Sequence, residues 1–268
     1  MSDTILTTAG LGKNFGRFAA NSEIDFSVRE GELRAVIGPN GAGKTTFFNL
    51  LSGLMQPSSG HIEFRGEEIT HLAGPRRVAR GIAKAFQTAN IYPDESVLQN
   101  CRLAAIAKVQ GSFRPEFIRP SRRLAAVDEI ACEALAQVDL APLSDERAGD
   151  LSHGDKKRLD IAIALATKPA VLLLDEPVAG MSIEEVRKTD QLIRALAKRM
   201  TVLIIEHDMD LIMGISDSIT VLHQGRVLAQ GTPAEIRANR KVQEAYLGAH
   251  VADSLAPDGV VTLPETPA

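Results

Sequence analysis

The sequence predicts an α/β fold in which a parallel sheet is covered on both faces and a helical region is inserted into the chain. Three observations carry this. A glycine-rich loop at residues 38–46 stands between a β-like run and a helix, and from residue 171 onward short apolar runs alternate with helical patterns. Between them, residues 96–167 turn rich in Ala, Leu, Arg and Glu, with apolar positions three or four apart. Continuous apolar strands alternating with helices imply strands buried on both sides.

Taken in order, the β-rich pieces are residues 4–11, 24–28 and 33–37, broken by glycine and polar turns. A helix over residues 44–52 follows the loop, carrying Phe47, Phe48, Leu50, Leu51 and Leu54, and Gly53 and Pro57 stop it. Residues 61–65 and 82–86 are β-like and surround a short basic helix near residues 75–80. In the insert, Val127, Ile130, Ala131, Ala134, Leu135 and Val138 share one helical face. Its Pro- and Arg-rich link, residues 111–123, reads as a solvated loop, with contact to a membrane surface or partner as the sharper alternative.

Beyond the insert come apolar runs at residues 171–174, 201–205 and 219–222, with a helix over 182–198. Ser182 and Glu185 form a capping-box pattern, and Thr232, Pro233 and Glu235 supply an N-cap, an N1 proline and an N3 acid for a late helix. Residues 252–268, with Pro257, Pro264 and Pro267 and no periodicity, read as a loose tail.

A chain of 268 residues with 44% apolar composition can bury a substantial core. Its formal charge of -4 gives no global attraction to nucleic acid, so that partner is disfavoured. Cys101 and Cys132 lack metal or redox spacing and are expected as buried, reduced thiols. Residues 1–10 hold no basic segment followed by an apolar core, and no stretch approaches the roughly 20 apolar residues of a spanning helix. Membrane association is therefore expected to be peripheral.

The loop Gly38-Pro39-Asn40-Gly41-Ala42-Gly43-Lys44-Thr45-Thr46 fits G-x-x-x-x-G-K-[ST] between a strand and a helix, the context which that pattern needs. Glycines let backbone N–H groups turn toward phosphate oxygens, and the helix N-terminus adds partial positive charge. Lys44 would neutralise the β- and γ-phosphates of ATP, and the Thr45 hydroxyl would ligate Mg²⁺. The apolar run ending in Asp175 and Glu176 delivers two carboxylates where α/β sheets place ligands. Alone it reads as a strand ending in a polar turn; beside the loop, Asp175 becomes the candidate oxygen ligand of Mg²⁺ and Glu176 the group that orients or deprotonates water.

Gln87, after Phe86, could touch Mg²⁺ or that water, though in isolation it is a loop glutamine. His207, directly after the run 203–206, is either a structural cap or a hydrogen-bond donor to the γ-phosphate. Leu151-Ser152-His153-Gly154-Asp155 introduces a helix over residues 156–167. Ser152 with Asp155 reads as a capping box, or with Gly154 as a second anion site at a helix N-terminus. One phosphate loop leaves no second nucleotide for such a site unless a partner chain supplies it.

The order of phosphate loop, Gln, Leu-Ser-x-Gly, Asp-Glu after an apolar strand, and His resembles the ATP-binding-cassette (ABC) ATPases over residues 4–248. The resemblance implies a P-loop NTPase core with an antiparallel β subdomain, an α-helical subdomain inserted at about residues 89–167, one domain over 1–250, and a flexible tail at 251–268. It implies ATP and Mg²⁺ as cofactors, with Thr45, Gln87 and Asp175 around the metal and Glu176, His207 and Gln87 in catalysis. It further implies a head-to-tail dimer in which Ser152, His153, Gly154 and Asp155 close over ATP held by the other subunit. An aromatic ahead of the loop would stack on adenine; Phe15 fits best by spacing, with Phe18 the competitor.

Softer details are similar to uptake cassettes for branched-chain amino acids and related small solutes: Pro177-Val178-Ala179-Gly180-Met181, Ile205-Glu206-His207-Asp208-Met209, Met213-Gly214-Ile215-Ser216-Asp217 and Ala245-Tyr246-Leu247-Gly248. The superfamily usually has Gly and Gln where His153 and Asp155 stand, and Asp where Ser182 stands; these departures recur in the uptake subgroup. The resemblance implies transmembrane permease partners contacted near residues 87–99, an extracytoplasmic solute-binding protein acting indirectly, and a place on the cytoplasmic face of the membrane. An exporter of lipid or polysaccharide would use the same ATPase core. A non-transport ATPase would commonly carry two cassettes or a long coiled-coil insert, and this chain has one cassette.

Overall fold

The computed structural model describes residues 4–86, 90–110 and 120–247. β1 (Thr4–Phe15) and β2 (Phe18–Arg29) pair as a long antiparallel hairpin, and β3 (Leu33–Ile37) leads through the glycine-rich loop into α1 (Lys44–Ser52). Then come β4 (Ser59–Phe64), β5 (Glu67–Glu68), α2 (Gly74–Arg80) and β6 (Ile82–Ala85). The insert supplies α3 (Val97–Gln110), α4 (Pro120–Gln137) and α5 (His153–Leu165). The chain returns as β7 (Val171–Asp175), α6 (Ile183–Ala197), β8 (Thr201–Ile205), α7 (Met209–Ile215), β9 (Ser218–His223), β10 (Arg226–Gly231), α8 (Pro233–Ala238) and α9 (Arg240–Leu247).

Two sheets result. One is antiparallel, in the order β2-β1-β4-β5; the other runs β10-β9-β3-β8-β7-β6, parallel from β9 to β6 with β10 antiparallel at its edge. Because side chains alternate along a strand, each parallel strand serves two cores. Leu172 and Leu174 of β7, and Val202 and Ile204 of β8, pack with Ala131, Leu135, Ile161, Leu165 and Ile193 from the helices. Leu173, Leu203 and Ile205 pack instead with Phe47, Phe48, Leu50 and Leu51 of α1 and with Ile5, Leu11, Ile24 and Phe26 of the antiparallel sheet. The expected cover on both faces is present, but one side is a helix plus a second sheet. Full burial of each of those four α1 side chains is worth about 1.5–3 kcal/mol, which fixes the helix that carries the loop at its N-terminus.

Several local expectations shift. α5 starts at His153 rather than at residue 156, because the Ser152 Oγ accepts the Asp155 N–H at 3.0 Å and caps the helix there. Asp155 does not return to the Ser152 backbone as a capping box requires; its carboxylate takes the Ser152 hydroxyl and Arg158. The boxes at Ser182 with Glu185 and at Thr232 with Glu235 are both complete. Cys101 is buried as expected, whereas Cys132 lies on the outer face of α4 and is exposed. Leu54 falls beyond the Gly53 cap and is exposed. Helices α7 and α9 and strands β5 and β10 lie outside the elements expected from the sequence.

The basic helix α2 hides a structural residue. Arg77 is fully buried, and its guanidinium donates to the carbonyls of Leu50 (2.6 Å), Leu51 (2.9 Å), Thr70 (2.8 Å) and Leu72 (2.9 Å). It thus caps the C-terminus of α1, where a cation also meets the negative end of the helix dipole. Burial pulls its pKa down to about 10, which leaves it charged at neutral pH. Arg77→Met is expected to cost about 3–5 kcal/mol, since it strands buried carbonyls that each cost about 1–3 kcal/mol unpaired. Urea unfolding measures it, and a loss below about 1 kcal/mol would contradict the capping role.

Candidate active site

Parallel pairing of β3, β7 and β8 sets their carboxyl ends side by side, and from these ends emerge the glycine-rich loop, Asp175 with Glu176, and Glu206 with His207. Glycine is required at two points of the loop. Gly38 has φ 152° and a Cβ there would lie 2.1 Å from the Leu222 carbonyl oxygen; Gly43 has φ 92° and its Cβ would lie 2.4 Å from the Ala20 oxygen. The loop is therefore wedged between β9 and β2.

Four of its carbonyls are engaged by the protein. Lys44 Nζ donates to Gly38 O at 2.7 Å and Pro39 O at 3.1 Å, the Gly225 N–H donates to Ala42 O at 3.1 Å, and Asn21 Nδ2 donates to Gly43 O at 3.2 Å. The Ala42 N–H donates to Pro39 O at 3.1 Å, so the other loop amides and the N-terminus of α1 are the groups placed to meet an anion. Burial holds the Lys44 pKa below the usual lysine value, with Glu176 and Asp175 opposing that shift.

A cavity of about 290 Å³ opens beside the loop, lined by Asn40 to Thr46 together with Phe18, Ala20, Glu176 and His207. Lys44, Thr45, Glu176 and His207 are thus brought together, as the spacing suggested. Glu176 takes φ 51°, unusual outside glycine, and its backbone is fixed by its N–H donating to Ile205 O at 2.9 Å and by Lys157 Nζ donating to Glu176 O at 3.3 Å. Its Oε1 lies 2.6 Å from His207 Nε2. Buried Glu206 joins the two strand ends, accepting the Val178 N–H and the His207 N–H, each at 2.9 Å. Burial raises the Glu206 pKa against the pull of those N–H bonds.

Asp175 is buried and does not line the cavity. Its Oδ2 is 2.8 Å from Lys84 Nζ on β6, and its Oδ1 has no hydrogen-bond partner among the described residues. Gln87 lies outside the described residues, but its neighbours are held: buried Asp160 of α5 accepts the Phe86 N–H at 2.5 Å and the Asn90 N–H at 3.1 Å. Burial pushes the Asp160 carboxyl up to about 6, against those bonds and Lys157 and Lys84. Phe15 and Phe18 face one another at the end of the β1–β2 hairpin, both exposed; Phe18 lines the cavity, while Phe15 carries Lys13 Nζ 5.5 Å from its ring centre.

None of Ser152, His153, Gly154 or Asp155 lines that cavity. Ser152 and His153 are exposed, and Gly154 is pressed against α6: a Cβ there would sit 2.3 Å from Glu185 Oε1. Lys84, Asp160, Glu206 and Tyr246 are the neighbours that sequence reasoning did not place. Tyr246 of α9 is buried beside the Gly38 backbone, and its phenol pKa is raised by burial. Of these, only Glu206 and Tyr246 left a trace in the sequence, as members of the runs quoted above.

Comparison with known proteins agrees with this arrangement. Residues 22–179 match the ABC transporter family, and residues 226–252 match the family described as branched-chain amino acid ATP-binding cassette transporter. The chain is 40% identical over 258 residues to the high-affinity branched-chain amino acid transport ATP-binding protein BraF of Pseudomonas aeruginosa, covering 92% of this chain and 99% of that protein. To LivG of Escherichia coli K12, a protein of the same description, it is 38% identical over 253 residues, covering 92% and 99%. Among solved structures, an ATP-binding cassette of an ABC transporter in its ADP conformation superposes with a TM-score of 0.78 at 30% identity, covering 91% of this chain and 99% of that one. The chain belongs to the ABC transporter family, as one of its ATP-binding and ATP-hydrolysing cassettes.

Proposed function

We propose that this cassette powers an importer of branched-chain amino acids or a related small solute, working at the cytoplasmic face of the membrane through permease subunits. The observation that carries it is similarity to BraF and LivG over 92% of the chain, reinforced by the separate C-terminal match at residues 226–252. No helix among the described residues is long and apolar enough to cross a membrane.

In this reading the phosphates of ATP rest on the amide edge of residues 38–46, Lys44 turns from Gly38 O and Pro39 O to the β- and γ-phosphates, and adenine stacks on the aromatic end of the β1–β2 hairpin. Phe15 is the ring favoured by spacing; Phe18 is the one that lines the cavity. Thr45, Gln87 and Asp175 would hold Mg²⁺, and the unpartnered Asp175 Oδ1 fits a hard cation or its bound water. Mg²⁺, when bound, would offset phosphate charge. Glu176 Oε1 takes the proton of the attacking water, and His207, released from Glu176, donates Nε2–H toward the γ-phosphate.

Because the chain's own Ser152 and Gly154 stand away from its own cavity, we read the site as half of one that a second cassette completes. Closure would move the permeases. An apolar groove of about 270 Å³ between α1, α2, β6 and α5, with Leu54, Val78, Phe86 and Ile163 in its wall, is the proposed seat for a permease segment. Tyr92 projects nearby in sequence, whereas Val97 is core.

The test is purification from membranes with associated subunits, reconstitution, and measurement of hydrolysis with a solute-loaded receptor. Leucine, isoleucine, valine or a similar small solute is expected to stimulate hydrolysis several-fold. Stimulation by lipid or polysaccharide alone would overturn the import reading.

A further inference from the structure

The Lys84–Asp175 pair has a geometry that a purely structural ion pair does not need. Lys84 lies on β6, Asp175 at the end of β7, and the lysine's second acceptor is Asn49 of α1. Nζ sits 2.8 Å from Asp175 Oδ2 and 2.9 Å from Asn49 Oδ1, with the lysine and aspartate side chains only 5% and 1% exposed. An ammonium at this depth satisfies one carboxylate oxygen and leaves the other buried and without a partner among the described residues. A pair built for stability alone would have both oxygens satisfied, since a buried unpaired acceptor is costly. Lys84 does not line the nucleotide cavity, so it is no phosphate ligand like Lys44.

We propose that Lys84 is a positioning residue for the divalent cation that accompanies ATP: it grips Asp175 by Oδ2, ties it to α1 through Asn49, and so presents Oδ1 alone to the cation. This rests on the reading of Asp175 as the cation's carboxylate. Two features follow from the geometry. The carboxylate cannot rotate its free oxygen away without breaking the Lys84 contact, and α1, whose N-terminus carries the loop, shares the same anchor. Phosphate loop and carboxylate are thereby held in one frame.

The experiment measures binding of a fluorescent ATP analogue to the full chain, with Mg²⁺ and with EDTA. The wild type defines the enhancement due to metal. For Lys84→Gln, affinity in EDTA is expected within about twofold of wild type, while the enhancement falls at least about fivefold; Lys84→Arg, which keeps the charge, is expected to retain it within about twofold. Asn49→Ala, which frees the lysine's second anchor, is expected to lower the enhancement about twofold or more and carries the test if Lys84→Gln does not fold. Asp175→Asn separates the two readings. If it abolishes the enhancement and Lys84→Gln leaves it intact, the positioning role falls and the role of Asp175 stands. If neither variant changes the enhancement, the reading of Asp175 falls and the inference with it. Equal weakening of both affinities in Lys84→Gln would mark a merely structural pair and overturn the proposal.

Discussion

Glu176→Gln is expected to bind ATP as the wild type does while steady-state hydrolysis falls by about 10²- to 10⁴-fold. The expectation follows from what holds the residue and what it faces. Its backbone sits at φ 51°, held by Ile205 O and Lys157, so a glutamine inherits the same conformation. The amide has the shape of the carboxylate and can keep a hydrogen bond to His207, 2.6 Å away, but it cannot accept the proton of a water. Binding depends instead on the loop amides and Lys44, whose contacts with phosphate the substitution leaves in place. Phosphate release at saturating ATP measures the first effect and nucleotide binding under the same conditions the second. Turnover within about tenfold of wild type would contradict the assignment of Glu176 as the base.

What the sequence made legible was local. Gly43 and Gly53, at φ 92° and 76°, bound α1 on both sides, and the helix runs between them as the glycines indicated. β3 and β8 coincide with their apolar runs, and α8 starts where Thr232, Pro233 and Glu235 place it. The phosphate loop and the Asp-Glu pair were readable because each is a contiguous motif whose chemistry needs its spacing.

The missed features were made by topology. Arg77 looked like one basic residue among several, and only tertiary packing delivers four carbonyls to it. Lys84 meets Asp175 because β6 and β7 are neighbours in the sheet, a fact that no local pattern encodes. α9 brings Tyr246 under Gly38 from the other end of the chain. α7 did carry a signal, since Asp208 caps it by accepting the Leu211 N–H at 2.9 Å, but seven residues are too few for a helical period to show. β10 is an edge strand without clean alternation of burial, so period-two reasoning had nothing to find.

On the function proposed above, Gly38 to Thr46, with Glu176 and His207, form half a site that Ser152 and Gly154 of a second cassette complete. In a dimer of a Ser152→Arg subunit and a Lys44→Ala subunit, one composite site keeps an intact loop and an intact Ser152 segment, and the other loses both. Neither variant alone should retain ATP in a closed dimer. The direct measurement is the ATP held by the purified mixed dimer: one nucleotide per dimer is expected, and a mixed dimer that holds none would contradict the composite site.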